Sequence, residues 1–278
     1  MYGQFSYTFS KALGDNQNTG GVVNGTVGGP TFGAAASTLR DPRNRRLDKG
    51  LLNIDRTHIV KANGAWELPF GPNRPFLASA PAVVQRVVEG WQLSSVFSWV
   101  SGAPLTFTPG TTATPFVLTT MGFRSANTAD LVGNLPKGSG NVVKGNGFVQ
   151  YYSGLSVKGA PLPNFGGDPN LPSRFTNQVV VDSSGNIVLK NPEPGTTGNT
   201  AIAMPGLTGP SALGLDMALS KKVRIGENRM FTLRADAVNF LNRPIWGNPN
   251  SNINSNTFGV ITTATGSRTI TFSARVDF

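Results

Sequence analysis

A single imidazole, His58, limits the chemistry this chain can perform. Any serine–histidine–aspartate relay would have to use it. It stands just ahead of a segment of alternating residues, beside Asp55 and Arg56, and reads as the first residue of a strand on a loop side. Thiolate metal sites are excluded because there is no cysteine, and one histidine is a poor zinc site. Gly138-Ser139-Gly140 lacks the strand before and the helix after that a phosphate-cradling loop needs; it reads as loop. The densest charge run is Arg40-Asp41-Pro42-Arg43-Asn44-Arg45-Arg46-Leu47-Asp48-Lys49. It could meet an anionic ligand, but it reads more simply as a solvated loop with internal ion pairs. No catalytic constellation results. The expectation is a non-enzyme with no catalytic residues, no cofactor and no metal.

The elements that would hold any site follow from composition. The 278 residues include 34 Gly and 20 Pro, and only 14% are charged, about half the usual share. No apolar run reaches the roughly 18 residues of a membrane helix. The long stretches of good helix formers that a helical enzyme needs are missing. Without cysteine there is no disulfide framework. The net charge is +10, from 24 Lys+Arg against 14 Asp+Glu. These basic residues form no single stripe and match no nucleic-acid module, so no nucleic-acid partner is expected. The first residues, Met1-Tyr2-Gly3-Gln4-Phe5, have neither a basic nor an apolar leader region, so no signal peptide is expected on this chain; if the protein is exported, its start is expected upstream. An all-β chain with long polar loops, or a disordered one, remains.

Periodicity is two wherever it is clear. Phe5, Tyr7 and Phe9 alternate with polar residues, as do Val60, Ala62, Gly64, Trp66 and Leu68. Trp91, Leu93, Ser95, Phe97 and Trp99 follow, then Leu213 to Val223 at odd positions, interrupted by Lys221. Phe231, Leu233, Ala235 and Ala237, and finally Ile270, Phe272, Ala274, Val276 and Phe278, complete the set. The predicted strands are 2–9, 57–68, 88–107, 212–225, 230–240 and 268–278, with a bulge or bend near Gly102-Ala103-Pro104. Region 108–211 shows no sustained period beyond a hairpin of 178–181 with 186–189 around Asp182-Ser183-Ser184-Gly185.

Such alternation suits either a soluble sandwich or a membrane barrel with apolar residues outward and polar residues toward a lumen. Trp91 and Trp99 share parity and lie roughly 26 Å apart along a strand, which suits one aromatic near each lipid interface. Connections alternate short and long, as in outer-membrane barrels, with the C-terminus at the periplasmic side. The chain ends on an outward aromatic, Phe278. The expected interface girdle is Trp66, Trp91, Trp99 and Phe278. The expected lumen-facing residues are Lys61, Glu67, Arg234, Asp236, Arg275 and Asp277, satisfied by water and cross-strand partners. If the odd residues of 212–225 and 230–240 face one way, paired residues must sum to an even number, and the turn near Gly226 must hold an odd number of residues, or a bulge must restore the parity. The expected object is a curved, incomplete antiparallel sheet with Trp91 and Trp99 on its convex face.

Several stretches resemble a known family. Met230-Phe231-Thr232-Leu233-Arg234-Ala235-Asp236-Ala237-Val238-Asn239-Phe240-Leu241-Asn242-Arg243-Pro244, then Trp246-Gly247-Asn248-Pro249-Asn250, looks like the end of TonB-dependent outer-membrane receptors. The Oar-like subgroup, with a carboxypeptidase-regulatory-like domain, is the nearest in kind. Ser6-Tyr7-Thr8-Phe9-Ser10-Lys11-Ala12-Leu13, Asp55-Arg56-Thr57-His58, Glu67-Leu68-Pro69-Phe70-Gly71, Gly90-Trp91-Gln92-Leu93-Ser94 and Ser101-Gly102-Ala103-Pro104-Leu105 occur in the family's order. The resemblance implies that residues 1–278 are the C-terminal part of a 22-stranded barrel, with plug and TonB box absent and 108–211 as an extracellular loop. It implies a bacterial outer-membrane location, and lipid, the rest of the barrel and plug, and through them the TonB complex, as partners. The whole would import a large, scarce solute: a siderophore, glycan or peptide. The alternative is a secreted β-sandwich adhesin or carbohydrate-binding module.

Overall fold

The computed structural model describes residues 1–14, 44–109, 119–120, 123–124, 127–136, 139–161, 177–193, 196–225 and 229–278. The alternating segments form one antiparallel sheet of six strands. These are β1 (Tyr2–Phe9), β2 (His58–Glu67), β3 (Trp91–Val100), β4 (Ala212–Arg224), β5 (Met230–Val238) and β6 (Thr269–Asp277). Each pairs with its neighbour in sequence, in the order β1-β2-β3-β4-β5-β6. Among the described residues the sheet does not close: β1 and β6 are its two edges.

Register fixes which side chains share a face, because directly opposed residues point the same way. Phe5 lies opposite Ala62, Ala62 opposite Phe97, Phe97 opposite Leu215, and Leu219 opposite Ala235. Ala235 then lies opposite Phe272. All six apolar sets therefore fall on one face. A slip of one residue at any seam would have turned over every strand beyond that seam relative to the rest. The expected parity holds at the β4–β5 seam, where Leu219 faces Ala235 and Arg224 faces Met230. Residues 225–229 make the odd-numbered connection, closed by the Ile225 amide on the Arg229 carbonyl at 2.8 Å; Gly226, Glu227 and Asn228 lie outside the described residues.

The strand expected over 88–107 is shorter than its pattern. It begins at Trp91 and ends at Val100. Residues Ala82–Val88, read from sequence as plain connection, form a helix, α1. Beyond Val100 the chain leaves the sheet. Gly102 lies so close to the Gly209 backbone that a Cβ would sit on its carbonyl oxygen, and Pro104 has no amide to offer a ladder. Leu105 and Phe107, expected on the strand, are instead buried in a separate core. At the other seam, β5 stops at Val238 rather than 240 because Asn239 and Asn242 take left-handed conformations, with φ of 49° and 50°.

That separate core is the main departure from the sequence reading. Region 108–211 is not featureless: Leu155–Gly159, Gln178–Asp182, Ile187–Lys190 and Asp130–Leu131 form a four-stranded sheet. The expected hairpin is its centre. Asp182 builds the turn, accepting from the Asn186 side-chain amide at 3.1 Å and from the Asn186 and Ser184 backbone amides at 2.9 Å each; these bonds, the Asn186 side chain's foremost, hold its carboxyl below the ordinary carboxylate range. Phe107, Tyr152, Val180, Leu189, Ile253 and Phe258 pack in the core beneath that sheet. Period-two analysis missed it because short strands and irregular segments contribute one or two residues each.

Tyr151 and Tyr152 give this module a pH limit. Tyr151 donates to the Thr208 carbonyl at 2.5 Å, and burial raises its phenol to about 12. Burial raises Tyr152 further, against its Ser251 hydrogen bond. A raised phenol keeps its proton in the fold after the unfolded chain has lost it. The stability these groups confer is whole below about pH 10 and is lost as pH rises through about 12. Tyrosinate absorbance followed with near-ultraviolet circular dichroism should show ionisation and loss of module packing together in that window.

Candidate functional site

The site is built from the two faces of the sheet and from its two ends. Strands β1, β3 and β5 run toward the long connections, 10–57, 101–211 and 239–268; β2, β4 and β6 run back. All long connections therefore share one end. The other end carries only residues 68–90 and 225–229.

The apolar face is uncovered. Phe5 is 70% exposed and Phe272 is 80% exposed. In water this would be a large patch of the kind that marks an interaction surface. A soluble sandwich would need a second sheet over it, and the described residues place none there. Trp91 and Trp99 lie on this face at opposite ends of β3. Trp66 is near the short-connection end of β2, with Phe278 also at that end. Trp99 shares the long-connection end with His58, Tyr7 and Phe9. The Tyr7 hydroxyl is 2.9 Å from His58 Nδ1, and the Phe9 ring packs against the imidazole at 5.5 Å.

Lys61, Glu67, Arg234, Asp236, Arg275 and Asp277 all fall on the opposite, polar face, by the same registers. Their pairing differs from the cross-strand expectation. Arg234 reaches along its own strand to Asp236, with Nε and Nη2 donating to the carboxylate at 2.7 to 2.9 Å. Arg275 does the same to Asp277 at 2.6 Å. Residues two apart on a strand share a face, and a guanidinium is long enough to span them. The residues opposite these arginines, Ser273 and Thr232, carry no charge to compete. Glu67 pairs with Arg74 at 2.7 Å, in a cleft of about 400 Å³ also lined by Arg86, Glu89, Lys222 and Arg224. Sequence alternation placed Lys222 and Arg224 on this face but did not single them out.

The other sequence candidates do not assemble. His58 bonds Tyr7, whereas Asp55 turns away. It is buried, accepting from the Ala12 amide at 2.6 Å and the Thr57 hydroxyl at 3.0 Å. That carboxylate ties the base of the 10–57 connection. Asp55→Ala should leave the half-buried Ala12 donor without its acceptor at about 1 kcal/mol, seen as faster proteolysis of that connection with the sheet intact. Of the charge run, residues 40–43 lie outside the described residues, and Arg45–Asp48 form one 3-10 turn with Asp48 buried. Ser139 and Gly140 lie in a turn bonded to Pro136 and Tyr151; Gly138 is outside the described residues.

At the long-connection end, the cores of two loops are one. Ile253, Phe258 and Ile261 from 239–268 pack with Phe107, Tyr152 and Leu189 from 101–211. Backbone bonds cross between them, Ile253 to Thr108 at 2.9 Å and Tyr151 to Gly259 at 2.8 Å. A cleft of about 570 Å³ opens on this module between Lys144, Phe148, Trp246 and Thr263, with the Lys144 ammonium 5.7 Å from the Trp246 ring centre.

An open antiparallel sheet with one predominantly apolar, uncovered face, one charged face and every long loop at one end is the wall of a membrane barrel. The family profile of an outer membrane beta barrel domain matches residues 1–271. The chain belongs to the outer-membrane β-barrel family. Its place is the bacterial outer membrane. No curated protein and no solved structure matches this barrel chain significantly.

Proposed function

We propose that this barrel chain is the C-terminal part of a TonB-dependent receptor of the Oar-like kind, which captures and imports a large, scarce solute. The observation that carries the reading is the six-stranded sheet with two unpaired edges beneath a large packed loop module. Hydrocarbon does not tolerate open strand edges, and the smallest bacterial barrels have eight strands. In this reading the strands that pair with β1 and β6, the plug and the segment that TonB engages lie outside residues 1–278. The apolar face meets lipid, and the polar face from Lys61 to Asp277 lines the lumen. Trp66, Trp91, Trp99 and Phe278 form the interfacial girdles. The loop module, with its cleft at Trp246, faces the medium as a surface for a siderophore, glycan or peptide. The chain does no covalent chemistry.

The test is binding of the purified periplasmic domain of TonB to the receptor isolated from outer membranes. The receptor should retain that domain, and the reading frame upstream of Met1 should encode a plug. Failure to retain it, with the barrel folded, would remove the import reading and leave an outer-membrane barrel of another role. The secreted-sandwich alternative is opposed by the uncovered apolar face. The protein should need detergent to stay dispersed; a folded monomer in plain buffer would restore that alternative.

A further inference from the structure

Lys221 interrupts the apolar stripe of β4, and the lipid-facing reading leaves it unexplained. A lysine on a lipid face is costly unless its proton donors are satisfied. Here it is 9% exposed. Its ammonium donates to the carbonyls of Arg86, Val87 and Glu89 at 2.9, 2.7 and 2.8 Å. These are the carbonyls at the C-terminal end of α1, which a helix leaves unpaired. An ammonium has three protons, and all three are used. The Trp91 ring lies under the same ammonium, 5.0 Å away, and the Trp91 indole donates to Val87 at 2.9 Å. Gly90 turns the chain from helix to strand with φ of 74°, where a Cβ would press on the Lys222 carbonyl.

Two residues of the apolar face thus pin α1 to that side of the wall, at the short-connection end. The helix itself buries nothing. Val83, Val84 and Val87 are 77%, 41% and 61% exposed, and Phe76 and Leu77 in the same connection are also exposed. Such residues gain nothing from facing water.

We infer that α1 is an interfacial foot, lying in the headgroup–acyl boundary of the leaflet at the short-connection end, with its valines toward the acyl chains. This rests on the lipid-facing reading of the apolar stripe. The occupant is lipid rather than protein for two reasons. The anchors, Lys221 and Trp91, belong to the stripe, so the patch continues the lipid surface. A seven-residue helix also offers far less than the roughly 800 Å² per partner of a stable protein interface. Shallow insertion of apolar side chains is how such helices bind a membrane plane.

Residues 1–278 contain no cysteine, so within them each introduced thiol is the single labelling site; any cysteine in the rest of the receptor is first changed to serine. Single variants Val83→Cys, Val87→Cys, Phe272→Cys and Ser273→Cys are made in the receptor, spin-labelled, and reconstituted in phosphatidylethanolamine–phosphatidylglycerol vesicles. Collision with oxygen and with a water-soluble nickel chelate is then read. The expected result is several-fold lower nickel access at 83 and 87 than at 273, approaching that at 272. Aqueous readings at 83 and 87 with a lipid reading at 272 would overturn the foot and spare the lipid face. An aqueous reading at 272 would sink both. Lys221→Met in the Val83→Cys background should mobilise the label; an unchanged spectrum would overturn the anchoring by Lys221. Protection at 83 in native membranes that is lost in vesicles would assign the patch to a protein instead.

Discussion

Phe272→Arg should destabilise the membrane-embedded sheet by about 2–4 kcal/mol, the cost of an arginine on the lipid face near mid-depth. Phe272 sits near the middle of β6, opposite Ala235, and is 80% exposed. No partner is there to accept a guanidinium, and mid-strand is too far from either rim for it to reach water. Thr271→Lys, one residue away, projects from the other face opposite Asp236. It should change stability by less than about 1 kcal/mol, since opposed unlike charges are neutral to mildly favourable on a sheet. Urea unfolding in lipid vesicles, read by heat-modifiable gel mobility, compares the two. Equal costs would mean that both faces see the same medium, and the assignment of faces would fail.

Phe107→Ala should cost the loop module about 3–5 kcal/mol, the range for emptying a large aromatic site. Phe107 is fully buried, with the Tyr152 and Phe258 rings at 5.3 and 6.0 Å. Tyr152→Phe keeps the volume and removes only the 2.8 Å bond to the Ser251 hydroxyl; it should cost about 1 kcal/mol. Protease digestion of vesicles with the loops outward should cut Phe107→Ala rapidly in both 101–211 and 239–268. The gel mobility of the sheet should stay unchanged. Cleavage confined to 101–211 would show that the two loops do not share a core.

The wall of the barrel was legible because its physics is periodic. From Phe5 to Phe278, alternate residues share one face, so parity alone predicted six strands and required an odd-numbered connection or a bulge near Gly226. The loop module was not legible because its core is assembled from isolated residues: Phe107, Tyr152, Ile253 and Phe258 have no common spacing. Leu105 and Phe107 even mimicked a continuation of β3, but the close Gly102–Gly209 backbone contact and Pro104 divert them. Alternation put the polar residues together on one face of the sheet, but it did not reveal their partners. Register shows what lies opposite an arginine, not that the arginine will reach along its own strand instead. Helix α1 escaped notice because seven residues of Ala-Val-Val-Gln-Arg-Val-Val are too few, and too rich in β-branched side chains, to signal a helix.

The shared core above the sheet also bears on how the molecule is made and how it yields. Its pieces come from two separate hairpin crests, so the shared core is complete only when both crests are in place. Once set, it acts as a clasp across the tops of β3, β4, β5 and β6. A force that tries to unzip one of those seams sideways must first break the cap.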